Sequence, residues 1–101
     1  MTGAYVVVLV RTRYASMEEA LQRSPGELAA HIERSKGLHA DGKLVMAGAF
    51  LDKPEEPVTT MAVLHTREDA EEYLAGDPFA LAGMVESFEI RPWADMLGGS
   101  R

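Results

Sequence analysis

The stretch AYVVVLVR, residues 4–11, is apolar at every position but its last. Its short length and β-branched residues predict a strand. Side chains alternate across a strand, so Tyr5, Val7 and Leu9 fall on one face while Val6, Val8 and Val10 fall on the other. A second predicted strand, GKLVMAGAFLD at 42–52, repeats the pattern, with Leu44, Met46 and Phe50 opposite Val45, Ala47 and Leu51. An antiparallel sheet that meets water on one side should alternate apolar with polar residues, and these strands do not. With 101 residues the chain is read as a single domain, 1–101 with its core at about 4–96, and it is too short to cover both sheet faces. The uncovered face is therefore expected to bury itself against a partner, and a symmetric homodimer packed sheet to sheet is the simplest way to supply one.

The remaining elements follow from caps and breakers. SPGELAAHIERSKGLHADG, 24–42, opens with Ser24 as a cap, Pro25 at the first helical position and Glu27 completing a capping box; Gly42 ends the helix. PEEP at 54–57 is a loop, because proline has no place in a central strand. VTTMAVLHT predicts a third strand over about Val58–His65. Thr66 then caps the helix REDAEEYLAG, whose acidic first turn suits the positive end of the helix dipole. After Asp77 and Pro78, FALAG makes a short helical turn, MVESFEIRPW a last strand and MLGGSR a frayed tail. Between Arg13 and Ser24, SMEEALQR carries an extra turn. The order βαββαβ predicts an α+β protein of ferredoxin-like plan with a four-stranded antiparallel sheet.

Composition narrows the function. Sixteen acidic against ten basic side chains give a net charge of −6, and no stretch gathers four or more Lys or Arg. That disfavours nucleic acid and anionic membrane surfaces as partners. The absence of cysteine excludes disulfides, thiol catalysis and thiolate metal sites. AYVVVLV is too short to span a bilayer and lacks the flanks of a signal peptide, so a cytoplasmic location is expected. No glycine-rich phosphate loop is present, so the expectation is a protein without a cofactor, acting on or binding a small molecule.

AHIERSKGLHADGKLVMAGAFLD followed by DPFALAGMVESFEIRPW resembles the YCII-related family over roughly residues 4–96. The most specific parts are the histidine eleven residues before Gly42, the G-K-L-x-x-A-G strand, the D-P-F triplet and the terminal R-P-W. Gly48-Ala49 stands where that family has glycine-proline. The resemblance implies a dimeric α/β barrel, a homodimer with a pocket between sheet and helices, and a His-Asp pair as active site, here His31 and Asp77.

His31 has a physical reading of its own. With residues 100° apart, Leu28, Ile32, Ser35 and His39 lie close to one line on the first long helix, and His31 and Leu38 flank it. A flanking histidine reaches the edge of a cavity, and with a reference pKa of ~6.5 an imidazole both accepts and donates a proton near neutrality. Held in one tautomer by Asp77, it can act as general base for a proton next to a carbonyl. With no serine or cysteine nucleophile beside the pair, the expected chemistry is isomerisation or elimination of water or halide. Ser35, Phe50 and Phe79 are the candidate substrate-binding residues.

Plainer readings apply to the same residues. Asp77 before Pro78 is also a helix N-cap. Ser35 also satisfies itself on its own helix backbone, and His39 and His65 read as polar edges of the core. A metal site is not expected, since no H-x-x-x-H pair exists. Arg91 and Trp93 read as packing at the dimer edge. The rival function is a non-catalytic ligand-binding or accessory homodimer built on the same pocket.

Overall fold

The β-branched run at the start of the chain occupies the middle of the sheet. In the computed structural model, which describes residues 3–97, β1 (Gly3–Thr12) lies between β3 (Thr59–Leu64) and β4 (Val85–Asp95) and runs antiparallel to both. β2 (Leu44–Ala49) pairs antiparallel with β3, so the four strands stand in the order β2-β3-β1-β4. This is the α+β, ferredoxin-like βαββαβ arrangement read from the element order. Residues 98–101, the end of the expected frayed tail, lie outside the described part.

Both long helices lie on one face of the sheet. Val8, Val10, Leu44, Ala62 and Leu64 meet Ala70 and Tyr73 of α3 (Arg67–Ala75) there, and Leu38 of α2 (Pro25–Ala40) packs against the same cluster. Val8 is fully buried, and such a side chain contributes roughly 1.5–3 kcal/mol. The opposite face carries a second cluster made of strand residues alone: Tyr5, Val7 and Val63, with Leu9, Val45 and Met61 beside them. Met46 and Trp93 keep 60% and 52% of their surface exposed, and Trp93 lies against Tyr5 on this face. The two-sided apolar pattern is thus present in the fold, with one face under helices and the other open.

The register of β2 departs from simple alternation. Leu44 pairs with Leu64, but Met46 pairs with Val63, so a bulge at Val45 inserts one residue into the edge strand. From Met46 onward every side chain changes face relative to the unbroken pattern. Leu44 therefore lies on the helical side, whereas Met46, opposite Val63, lies on the open side, and the expected grouping of Leu44, Met46 and Phe50 does not hold.

The linker after β1 is also more structured than one extra turn. α1 (Met17–Arg23) is capped by Ser16, whose side chain accepts the Glu19 amide, while the Glu19 carboxylate accepts the Ala15 amide. Ser24 follows immediately, and its side chain makes no capping bond for α2. It accepts instead the hydroxyl proton of buried Tyr14 at 2.6 Å. The physical reason is the order of costs: a buried phenol without a partner loses about 1–3 kcal/mol, more than the ~1 kcal/mol of a typical cap. Pro25 opens α2 as expected, and Gly42, at φ +77, supplies the left-handed turn beyond its end.

α2 has no fully buried residue although it is the longest helix described. It stands off the sheet, and the space beneath it is the cavity described next.

Candidate active site

His31 on α2 and Asp77 at the start of α4 (Pro78–Leu81) meet across that space. Imidazole Nδ1 lies 2.5 Å from Asp77 Oδ1. Asp77 is 7% exposed, and its other oxygen, Oδ2, accepts the Ala80 amide at 3.2 Å. The same carboxylate is therefore the helix cap and the partner of the histidine. An ionised carboxylate only accepts, so Nδ1 carries a proton, and in the neutral imidazole Nε2 then keeps its lone pair. Phe79 packs against the imidazole with ring centroids 4.9 Å apart and planes tilted by 30°, and Tyr14 packs edge-on against Phe79 at 5.3 Å.

Further contacts set the distance between the helices. Arg34, three residues after His31, donates from Nη1 to the Tyr73 carbonyl and from Nη2 to the Glu72 carbonyl, at 2.8 and 2.9 Å. These carbonyls end α3, where a cation is favoured by the helix dipole. Gly76 leaves room for that guanidinium: a Cβ there would sit 2.6 Å from Arg34 Nη2. Asp77 follows directly, so the clamp fixes the carboxylate that meets His31.

The cavity beneath α2 has a volume of about 540 Å³. Its wall is mostly apolar, with Leu28, Ile32, Leu44, Val58 and Val85 among its members, and His31, Ser35, Asp77 and Tyr73 supply polar groups. Burial first, and the charge of Asp77 second, push the Tyr73 hydroxyl up to about 12, with Arg34 pulling the other way. Tyr73 thus keeps its proton at any ordinary pH.

Of the residues singled out in the sequence, His31, Asp77, Ser35 and Phe79 all border this cavity. Phe50 does not. It follows the end of β2, half exposed, beside Met46–Ala49 and Met61 on one side and a polar cleft with Arg11, Lys53 and Glu56 on the other. The Val45 bulge is the cause, since without it Phe50 would share the face of Leu44. Tyr73, Arg34, Tyr14 and Gly76 were not singled out. Tyr73 had a signal, an aromatic residue within the acidic REDAEEYLAG; Arg34 had only its place one turn from His31.

Of the other two histidines, His39 also borders the cavity and His65 does not. His39 Nδ1 bonds the Leu44 carbonyl at 2.8 Å, joining the end of α2 to β2, and His65 lies 5.6 Å from the Tyr5 ring on the open face. Among the described residues no three His, Asp or Glu side chains gather to hold a metal ion, and no helix is long and apolar enough to cross a membrane.

The fold and the histidine-carboxylate pair beneath α2 define a ferredoxin-like α+β protein with a cavity between sheet and helices. The chain belongs to the YCII-related domain family, whose model matches residues 4–94. No curated protein matches it in sequence. Among solved structures it is similar to 5-chloro-2-hydroxyhydroquinone dehydrochlorinase (TftG) of Burkholderia phenoliruptrix in complex with 2,5-dihydroxybenzoquinone. The TM-score is 0.65 at 18% identity, over 89% of this chain and 93% of that one. A conserved protein of Methanosarcina mazei aligns with TM-score 0.55 and 15% identity over 93% and 94% of the two chains. A protein of Pseudomonas aeruginosa aligns with TM-score 0.54 and 14% identity over 95% and 96%. At these identities the likeness is one of fold.

Proposed function

We propose that this protein is a cofactor-independent enzyme of the isomerase or lyase kind, moving a proton on a small cyclic or enol-type metabolite of aromatic degradation or secondary metabolism. The observation that carries this reading is the 2.5 Å contact of His31 Nδ1 with Asp77 on the wall of an apolar cavity of about 540 Å³. Asp77 holds the tautomer in which Nε2 is the base. Nε2 takes a proton from carbon next to a carbonyl, and the C–H electron pair becomes the double bond of an enolate. The protonated imidazole, steadied by the carboxylate, then returns the proton to another atom of the enolate, completing an isomerisation, or to a departing hydroxide, completing a dehydration. Where the group leaving is halide, it departs as the anion and the proton passes to solvent. A base positioned in this way contributes about 10²–10⁴-fold in rate.

The cavity suits a small oxygenated ring, and the 2,5-dihydroxybenzoquinone bound by the structurally similar dehydrochlorinase is a compound of that kind. The open sheet face, with Met46 and Trp93 exposed beside the strand-only cluster, supports assembly as a homodimer. His31→Ala and Asp77→Asn should each abolish turnover while leaving the protein folded; a compound that binds both variants as it binds wild type, and is recovered unaltered, would identify a ligand-binding module instead.

A further inference from the structure

Two tyrosines border the cavity with His31, and their hydroxyls are treated differently. Tyr14 is 1% exposed and donates to Ser24. Tyr73 is 5% exposed and belongs to the cluster of Val8, Leu44, Leu64 and Ala70, and among the described residues its hydroxyl makes no hydrogen bond. Among the described residues no sealed side-chain oxygen or nitrogen lacks a partner. The Tyr73 hydroxyl is therefore not sealed, and Tyr73 is a residue of the cavity wall. A phenol placed in a nearly dry wall without a partner is costly by about 1–3 kcal/mol unless something in the cavity accepts a hydrogen bond from it.

We propose that the Tyr73 hydroxyl binds the substrate oxygen on which negative charge collects when His31 removes the proton. This rests on the reading of His31 as base and narrows the substrate to a compound with a ring carbonyl next to an acidic C–H on a saturated carbon, such as a cyclic ketone or a lactone. In the step, the proton goes to His31 Nε2, the C–H pair forms the new C=C bond, and the carbonyl π pair moves onto oxygen. Tyr73 keeps its own proton and donates a hydrogen bond to that oxygen, a bond that strengthens as the oxygen becomes anionic. Burial and the Asp77 charge, which push this hydroxyl up to about 12, keep it a donor across the working pH range. Tyr73 faces the reacting atoms, whereas Tyr14, already committed to Ser24, shapes the wall.

The test uses ligands that differ in the oxygen alone: 4-nitrophenolate and nitrobenzene, titrated at pH 8 against wild type, Tyr73→Phe and His31→Ala. Wild type should prefer the phenolate, Tyr73→Phe should lose about tenfold of that preference with nitrobenzene affinity unchanged, and His31→Ala should retain it. Because His31→Ala is expected to keep the preference, the result is independent of whether His31 catalyses. Bound 4-nitrophenolate should also absorb at shorter wavelength in wild type than in an apolar solvent, as a hydrogen-bonded phenolate does. An equal preference in wild type and Tyr73→Phe overturns the proposal, as does an unshifted wild-type band or a wild type without preference.

Discussion

Asp77 divides its two carboxylate oxygens between His31 Nδ1, at 2.5 Å, and the Ala80 amide, at 3.2 Å. The capping and catalytic readings of this residue are thus physically compatible, and substitutions can separate them. Asparagine caps a helix about as well as aspartate but cannot stabilise an imidazolium. Asp77→Asn should therefore melt close to wild type and lose about 10²–10⁴-fold in rate, whereas Asp77→Ala should lose about 1 kcal/mol of stability as well. Thermal melts beside kcat/KM for the two variants check the separation; equal loss of stability in both would contradict it.

Ser24 offers a purely structural test. Its hydroxyl serves Tyr14 rather than the α2 backbone. Ser24→Ala should cost about 1–3 kcal/mol by stranding the buried phenol, and most of that loss should vanish in the background of Tyr14→Phe. A double-mutant cycle in denaturant measures the coupling, and additive losses would show that Ser24 acts as a cap after all.

Tyr73 gives a pH dependence with a definite sign. Its hydroxyl titrates at about 12 in the folded chain against 10.0 for the unperturbed group. The folded state holds this proton more tightly than the unfolded state does. The associated stability, on the order of 2 kcal/mol, is fully present below pH ~10 and is lost as pH rises through ~12. Urea unfolding between pH 9 and 12 should show a steeper decline for wild type than for Tyr73→Phe; parallel curves would contradict the raised titration of this hydroxyl.

The open sheet face predicts assembly. Wild type should have twice the 11.0 kDa mass of the chain by light scattering at micromolar concentration, and Met46→Asp, which places a charge on an exposed position of that face, should shift it to the single-chain mass. A single-chain mass for wild type would contradict the homodimer.

The elements and their order were legible because their signals are local. Thr66 caps α3 by accepting the Asp69 amide, Pro25 opens α2 and Gly42 turns the chain beyond it, each within four residues of the feature it controls. What was not legible depends on residues far apart in the chain. The Tyr14–Ser24 bond diverts an apparent capping box, and the Arg34 bonds to the carbonyls of residues 72 and 73 join two helices with no mark in either. The Val45 bulge has no glycine or proline to announce it, yet it reverses the face of everything that follows and removes Phe50 from the cavity. Helical periodicity placed His31 at the margin of its helix stripe, but its pairing with Asp77, 46 residues away, was legible only through family resemblance.

The proposed role of His31 is that of a base at work on carbon. Its most direct test is deuterium incorporation from D2O into cyclic ketones and unsaturated lactones, followed by mass spectrometry for wild type and His31→Ala. Wild type should exchange at least one of these compounds about 10²–10⁴ times faster than the variant. Equal rates for the two proteins across the whole set would contradict it.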